Sequence, residues 1–272
     1  MSVRLAFIGG GNMASALIGG ILGQGASAQS VRVAEIMPEA RERLQSTFGV
    51  TALATAAEAA AGADCIVFAV KPQQMPGVAP QVAEAARGAL VVSIAAGVRT
   101  ADLGRWLGGH ERIVRVMPNT PALVGAGVSA LFALPGVNAD ERAIVAQLFA
   151  AVGKVLWVER EAQIDAVTAV SGSGPAYAFY LIESMVQAAL QLGFDAEAAR
   201  LLSVETVLGA AKLAAASPES AEILRARVTS KGGTTERALA VLEGHAVKRH
   251  FVEAILAAEA RSRELGEAAG RD

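Results

Sequence analysis

The feature that most constrains the fold is a short apolar run near the start of the chain that leads directly into a cluster of glycines. Leu5–Ile8 is apolar, and Gly9-Gly10-Gly11-Asn12-Met13-Ala14 follows with the spacing G-x-G-x-x-A. This spacing is typical of a strand, tight turn and helix that bind a dinucleotide, because glycines permit the turn and a close approach of the pyrophosphate. An ordinary glycine-rich strand–helix turn is the alternative.

Strand-like and helix-like segments alternate as far as Val158, and only helix-like segments follow. Val31–Ala34 and the apolar runs 63–70 and 90–94 predict strands, and helices are expected between them, one of them over residues 75–86. This order is typical of an α/β fold with a parallel, doubly wound sheet. The sequence therefore predicts a Rossmann-type dinucleotide-binding domain over residues 1–159 and an all-α substrate and dimerisation domain over 160–272.

Composition and charge exclude several classes of function. The net charge of −2 gives no basic surface for nucleic acid or an anionic membrane, and no apolar stretch approaches the length of a membrane span. The single cysteine cannot form an internal disulfide, which favours a reducing, cytoplasmic setting. The three histidines lack the spacing of a zinc pair, so no metal site is predicted.

A long apolar segment in the second half indicates association between chains. A helix starting at Ser171–Pro175 and running to about Leu192 is apolar nearly all round. Such a helix must be buried on several sides. In a domain of this size, a second copy of the chain is the most economical way to bury it. The sequence therefore predicts a homo-oligomer.

Candidate ligand residues lie where the predicted strands end, because the crevice of a doubly wound sheet lies outside the carboxyl ends of its strands. Ala95-Ala96-Gly97 suits close approach of a cofactor or a tight connection. Asn119, between two prolines, fits a ligand contact or loop capping equally well. The other candidates at these strand ends are Gly9–Ala14, Glu35 and Lys71-Pro72.

A second glycine-rich segment, Val228-Thr229-Ser230-Lys231-Gly232-Gly233-Thr234-Thr235, precedes a helical pattern over 238–242. Backbone N–H groups at a helix N-terminus, with hydroxyl groups beside them, suit a small carboxylate. A well-capped helix start without a ligand is the alternative.

Taken together, these segments resemble the pyrroline-5-carboxylate reductase family along essentially the whole chain. The matching motifs, in order, are FIGGGNMA, AVKPQ, RVMPNTP, VSGSGPAYAF and VTSKGGTTERAL. The resemblance implies reduction of the C=N bond of 1-pyrroline-5-carboxylate to L-proline with hydride from NADPH or NADH. It also implies a homodimer formed through the C-terminal helices, and a decamer of five dimers.

The resemblance also implies roles for individual residues. Thr235 is expected near the ring nitrogen as the catalytic residue. Substrate contacts are expected at Glu161, Ser230, Gly232, Gly233, Thr234 and Thr235. Cofactor contacts are expected at Ile8, Gly9, Gly10, Gly11, Asn12, Met13, Glu35, Ala69, Val70, Lys71, Ile94, Ala95, Ala96 and Asn119.

This chain departs from the family pattern at a few positions. Met37 stands where some relatives carry a hydroxyl group that holds the 2′-phosphate of NADPH. Some relatives also have an asparagine at the position of Ala56, and many have one just before the VTS segment, where this chain has Arg227. Glu35 is placed to accept hydrogen bonds from a ribose diol and to repel a 2′-phosphate, which favours NADH. Arg32 or Arg41 folding over a phosphate would favour NADPH, so the choice stays open, with a lean to NADH.

Two other functions compete with this interpretation. A β-hydroxyacid dehydrogenase or an imine reductase acting on another ring shares the two-domain plan, but this chain lacks the substrate-side lysine or aspartate usual in those enzymes. A non-catalytic nucleotide sensor would keep Gly9–Ala14 and lose the 230–235 loop, which is intact here.

Overall fold

The computed structural model of the chain describes residues 3–270 and forms two compact units. The first unit contains the residues up to Ser173 and those from Ala258 onward, and the second contains Gly174–Ala257. The predicted division after residue 159 follows the last strand, whereas packing assigns the next residues to the first unit. Ile164, for example, is buried against Ala130 of the sheet.

One sheet of eight strands forms the centre of the first unit. The strands are β1 (Leu5–Ile8), β2 (Val31–Ala34), β3 (Thr51–Leu53), β4 (Cys65–Phe68), β5 (Leu90–Ser93), β6 (Ile113–Met117), β7 (Gly127–Ala133) and β8 (Gly153–Trp157). Their order is β3-β2-β1-β4-β5-β6-β7-β8, and the central β1 pairs in register with β2 and β4. This order confirms the predicted Rossmann-type doubly wound sheet.

The expectation of a wholly parallel sheet is wrong at one place, because β7 pairs antiparallel with β6. The connection between them contains only a short 3₁₀ helix, Thr120–Val124. A parallel pair requires a crossover of a dozen or more residues, whereas a short connection returns the chain antiparallel. The remaining neighbours in the sheet are parallel.

Helices cover both faces of the sheet. They are α1 (Asn12–Gly23), α2 (Pro38–Phe48), α3 (Ala56–Ala60), α4 (Met75–Val78), α5 (Ala83–Ala86), α6 (Thr100–Trp106), α7 (Ala139–Ala150) and α8 (Gln163–Val167), after which Thr168–Gly172 is a π-helix. The single helix predicted over 75–86 is wrong. A 3₁₀ segment, Ala79–Val82, separates α4 from α5, because Pro80 lacks the N–H group that a continuous helix needs.

Alternation along β1 divides the core into two layers. Phe7 packs on one face with Leu17 and Leu44, from α1 and α2. Ile8 packs on the other face with Met75 and Leu103, from α4 and α6. Because both faces are covered, the carboxyl ends of the strands are left as the accessible edge of the sheet.

The second unit is helical, as predicted. It contains α9 (Gly174–Gln191), α10 (Ala196–Ala216), α11 (Ala221–Arg227), α12 (Thr234–Gly244) and the first part of α13 (Val247–Ala269). No residue of α9 is buried in the single chain, although the helix carries the large aromatic side chains of Phe179 and Tyr180. A helix of this composition left uncovered is typical of a surface that a partner chain buries.

Candidate active site

The first glycine loop has the backbone that close approach of a ligand requires. Gly9 has a φ of +104°, and a Cβ there would lie 2.9 Å from the carbonyl of Ala69, so glycine is needed at this position. Gly11 is the N-cap of α1, and a Cβ there would meet no atom within 4 Å. The first N–H groups of α1 have no intrahelical acceptors and are available to an anion in that open space.

A cleft of about 380 Å³ opens beside this loop, at the carboxyl ends of β1, β2 and β4. It brings together the predicted cofactor residues Ile8, Gly9, Gly10, Gly11, Glu35, Ala69, Val70 and Lys71. The predicted residues that do not line it are Asn12, Met13, Ile94, Ala95, Ala96 and Asn119. The volume lies within the range of natural ligand sites.

Sequence reasoning missed part of the lining. Gln74, Val78 and Gln81 follow Lys71 and also line the cleft. Their spacing of four and then three residues is that of one helical face, a signal that was present in the sequence. Gln74 Oε1 accepts a hydrogen bond from the backbone N–H of Lys71 at 3.1 Å, which fixes the start of this segment at the rim of the cleft.

The carboxylate of Glu35 joins the two loops that form one wall of the cleft. Its Oε2 accepts the N–H of Gly10 at 3.1 Å, and its Oε1 accepts the N–H of Met37 at 3.0 Å. The negative charge of Glu35 is therefore held at the wall rather than extended into solvent. This is the position at which an acidic residue contacts the ribose of a dinucleotide in such folds.

The structure separates the two arginines considered as partners for a 2′-phosphate. Arg32 donates to the carbonyl of Ala61 at 2.9 Å, in the connection that leads into the amino end of β4, and does not line the cleft. Arg41 donates to the carbonyls of Glu35 and Ile36 at 2.8 and 2.9 Å. Neither arginine lines the cleft: Arg32 is directed away from it, whereas Arg41 lies beside Glu35 with its guanidinium engaged by backbone carbonyls.

The loop after β5 is held against the C-terminal end of α13, within the first unit. Gly97 has a φ of +77°, and a Cβ at Gly266 would lie 3.2 Å from the carbonyl oxygen of Gly97. Ile94 donates its N–H to the carbonyl of Phe68 at 3.1 Å, which ties the start of the loop to β4. Glycines at both positions permit this close contact.

Asn119 uses both ends of its amide inside the protein. Its Nδ2 donates to the carbonyl of Ser171 at 3.1 Å, and its Oδ1 accepts the N–H of Val128 at 2.9 Å. The side chain is largely buried. This geometry corresponds to the loop-capping alternative, and a cofactor contact at Asn119 stays a prediction.

Glu161 belongs to a cluster of charged and hydroxyl groups in the first unit. Its carboxylate accepts the N–H and the hydroxyl of Thr100, both at 2.8 Å, and Nη1 of Arg115 at 3.2 Å. Thr100 is the first residue of α6, whose N-cap is Arg99, and its hydroxyl is engaged with Glu161 rather than with the helix backbone. Nη2 of Arg115 donates to Asp165 at 3.2 Å.

The predicted carboxylate loop lies in the second unit at the start of α12. Gly233 is the N-cap, so the N–H groups of Thr234 and Thr235 are the first two of the helix and have no intrahelical acceptor. The N–H of Gly232 donates to the carboxylate of Glu236 at 2.7 Å. The chain's own carboxylate thus engages this N–H group, which corresponds to the capped-helix alternative, and a substrate carboxylate at this loop stays a prediction.

Outside these sites, burial shifts the pKa of a buried cysteine, Cys65, and of a partly buried histidine, His110. Burial raises the pKa of the Cys65 thiol to about 12, which makes it inert. Burial also lowers the pKa of His110 below its usual value. Across residues 3–270, no helix is long and apolar enough to cross a membrane, and no group of three or more His, Cys, Asp and Glu side chains is arranged to hold a metal ion.

Comparisons with known proteins agree with this geometry. Residues 161–265 match the family model described as pyrroline-5-carboxylate reductase dimerisation. Residues 4–97 match the model described as NADP oxidoreductase coenzyme F420-dependent. These two ranges contain, respectively, the exposed apolar helix α9 and the cleft at the first glycine loop.

Full-length relatives carry the same family name. A pyrroline-5-carboxylate reductase from Pseudomonas aeruginosa is 45% identical, over 98% of this chain and 98% of that protein. The solved structure of a pyrroline-5-carboxylate reductase from Coxiella burnetii superposes with a TM-score of 0.92 at 40% identity, covering 97% of this chain and 99% of that one. A pyrroline carboxylate reductase from Plasmodium falciparum, solved with NADP bound, gives a TM-score of 0.88 at 29% identity, covering 97% and 98%. The chain therefore belongs to the pyrroline-5-carboxylate reductase family.

Proposed function

We propose that this chain reduces 1-pyrroline-5-carboxylate to L-proline with hydride from NADPH or NADH. The observation that carries the proposal is full-length membership of the family together with an intact dinucleotide cleft. The reaction moves a hydride from C4 of the nicotinamide to C5 of the ring, and a proton to the ring nitrogen. An enzyme of this kind belongs among the NAD(P)-dependent oxidoreductases that act on CH–NH groups.

The cofactor is proposed to bind with its pyrophosphate at the N-terminus of α1. Gly9 and Gly11 allow the approach, and the N–H groups at the start of α1 supply the hydrogen bonds. Glu35 would accept hydrogen bonds from the adenosine ribose. The other proposed contacts are Ile8, Gly10, Asn12, Met13, Ala69, Val70, Lys71, Ile94, Ala95, Ala96 and Asn119.

Substrate chemistry requires little acid–base assistance from the protein. A cyclic imine is far more electrophilic once its nitrogen is protonated, so the main task is to hold C5 of the ring against the nicotinamide. Orientation of this kind supplies about 7–11 kcal/mol of the barrier. Thr235 is proposed to hydrogen-bond the ring nitrogen, and Ser230, Gly232, Gly233 and Thr234 to bind the carboxylate. Glu161 is proposed as a further substrate contact.

The second unit carries the family's dimerisation region, so the chain forms oligomers. We propose a homodimer through α9 and its neighbouring helices, with Phe179 and Tyr180 buried between copies, and a decamer built from five such dimers. A cytoplasmic location also stays a prediction, and it rests on the single, buried cysteine.

The test is oxidation of NADH or NADPH, followed at 340 nm, with pyrroline-5-carboxylate as substrate and the six-membered piperideine-6-carboxylate as comparison. Fast turnover of the five-membered ring supports the proposal. Turnover of the other ring alone indicates an imine reductase of different specificity. Dinucleotide binding without turnover of either ring indicates a sensor.

The variant Thr235→Ala tests the role of the hydroxyl group. We expect kcat/KM to fall about 10- to 1000-fold with the affinity for the cofactor unchanged. Thr206→Ala is a matched control, because its hydroxyl is exposed and donates to the carbonyl of Leu202 within α10. Unchanged kinetics in Thr235→Ala would remove Thr235 from the mechanism.

A further inference from the structure

The charged cluster around Glu161 is built more elaborately than a simple ion pair. The Arg115 cluster comprises Thr100, Arg115, Glu161, Asp165 and Ser262. Ser262 donates its hydroxyl to Oδ1 of Asp165 at 3.0 Å, and the same oxygen accepts Nη2 of Arg115. The side chains of Arg115 and Asp165 are 3% and 8% exposed, whereas that of Glu161 is 24% exposed. Glu161 is thus the member that solvent reaches.

The guanidinium of Arg115 divides its donors between two carboxylates. Nη1 contacts Glu161 and Nη2 contacts Asp165, each at 3.2 Å. A planar fork fixes both contacts at once, whereas an ammonium group of a lysine offers no such geometry. Thr100 holds the two oxygens of Glu161 separately, through its N–H and its hydroxyl. The carboxylate of Glu161 is therefore fixed in direction as well as position.

The cluster also carries an excess of negative charge. Two carboxylates face one guanidinium in it, and neighbouring charges have partners of their own among the residues that the structure describes. Asp102 pairs with Arg105 at 3.0 Å, and Arg99 lies 3.9 Å from Glu267. Excess negative charge in a largely buried cluster is costly, and a cationic ligand group beside Glu161, its solvent-exposed member, would offset the charge.

We propose that Arg115 is a positioning residue that holds the carboxylate of Glu161 toward the cationic ring nitrogen of the bound imine. Asp165 and Ser262 hold Arg115 in turn. The inference rests on the proposed function, because it takes Glu161 as a substrate contact. It assigns to the buried ion pair a role in substrate affinity rather than in the hydride-transfer step.

The experiment is a double-mutant cycle between Arg115 and Glu161, read in the KM for pyrroline-5-carboxylate, in kcat and in the KM for the cofactor. Arg115→Lys keeps the charge and removes the fork, so we expect the substrate KM to rise about 10- to 100-fold with little change in kcat. In the Glu161→Gln background the same substitution should leave the substrate KM within about twofold, because the group on which Arg115 acts has been altered.

Arg112→Lys is the matched control, since Arg112 pairs with Glu141 at 3.0 Å in the same unit without contacting Glu161. It should leave the substrate KM unchanged. An equal effect of Arg115→Lys in both backgrounds, or a rise in KM matched by Arg112→Lys, would overturn the inference. A normal KM in Glu161→Gln, with turnover intact, would overturn it too while leaving the proposed reaction standing. Absence of turnover in the unmodified protein would instead refute the reaction.

Thr100→Val provides a second route if Arg115→Lys does not fold. It removes the hydroxyl that donates to Glu161 Oε2, keeps the side-chain shape, and leaves the buried charges in place. We expect the substrate KM to rise about three- to tenfold, again only when Glu161 is present. A rise that persists with Glu161→Gln would contradict a role exerted through that carboxylate.

Discussion

Removing the charge of Glu35 should change which cofactor the protein prefers. In Glu35→Gln the side chain keeps its length and one acceptor oxygen, so one of the bonds to Gly10 and Met37 can persist. The fixed negative charge at the cleft wall is lost. Because a 2′-phosphate is the only charge that distinguishes NADPH from NADH, the substitution acts on the difference between the two.

The size of the expected change in cofactor preference follows from Coulomb's law applied to Glu35 and a 2′-phosphate. Two unit charges about 5 Å apart interact by about 3 kcal/mol at an effective dielectric constant near 20, and by less than about 1 kcal/mol in water. Glu35 is half-buried, so an intermediate repulsion of about 1.5–3 kcal/mol applies. Its removal should raise the NADPH/NADH ratio of kcat/KM by about 10- to 100-fold.

The assay compares kcat/KM for the two cofactors, at saturating pyrroline-5-carboxylate, in the unmodified protein and in Glu35→Gln. Glu39→Gln is the control, since Glu39 is exposed in the first turn of α2 and does not line the cleft. The change in ratio should shrink at high salt, which screens the repulsion. If both cofactors lost activity by the same factor, Glu35 would be a structural link between loops and the electrostatic reasoning would be refuted.

Three further predictions concern stability and reactivity. Met37 is the N-cap of α2 without a side-chain cap, so Met37→Ser should stabilise the fold by about 0.5–1 kcal/mol and raise Tm by a few degrees in calorimetry. Burial lowers the pKa of His110, so the folded state binds fewer protons and stability should fall as pH drops below about 6.5; His110→Gln should flatten Tm measured between pH 5 and 7.5. Cys65, with its pKa near 12, should react with a thiol reagent only after unfolding; labelling of the folded protein would contradict its burial.

Most of the fold was predictable because the residues of each helix or strand follow a pattern that depends on their local environment. The run 63–70 is apolar throughout, as a strand covered on both faces must be, and the structure places β4 at Cys65–Phe68 in the centre of the sheet. The reversed direction of β7 was not predictable from periodicity, because an apolar strand has the same pattern in either direction. The length of the preceding connection, over Thr120–Val124, was the available signal.

The parts of the candidate site that depend on backbone conformation were predictable. The hydrogen-bond partners of individual side chains were less so. Gly9 is required by a positive φ and a nearby carbonyl, and both follow from the turn that the motif predicts. Arg32 and Arg41 lie on either side of the β2–α2 connection in the sequence, yet one reaches the carbonyl of Ala61 and the other the loop beside Glu35. No sequence rule distinguishes these directions, because they depend on tertiary neighbours.

The tertiary contacts made by the C-terminal end of α13 could not be predicted from sequence periodicity. Its charged and small residues resemble a solvated helix end, but Ser262 is buried and bonded to Asp165, and Gly266 lies against Gly97. The same turns of helix thus contact both the Arg115 cluster and the loop after β5. Since the cluster is proposed to orient the imine and the loop is proposed to contact the cofactor, this one helix end would link the positions of the two ligands. Hydride transfer depends on the distance between those two ligands, so the constraint bears directly on the reaction.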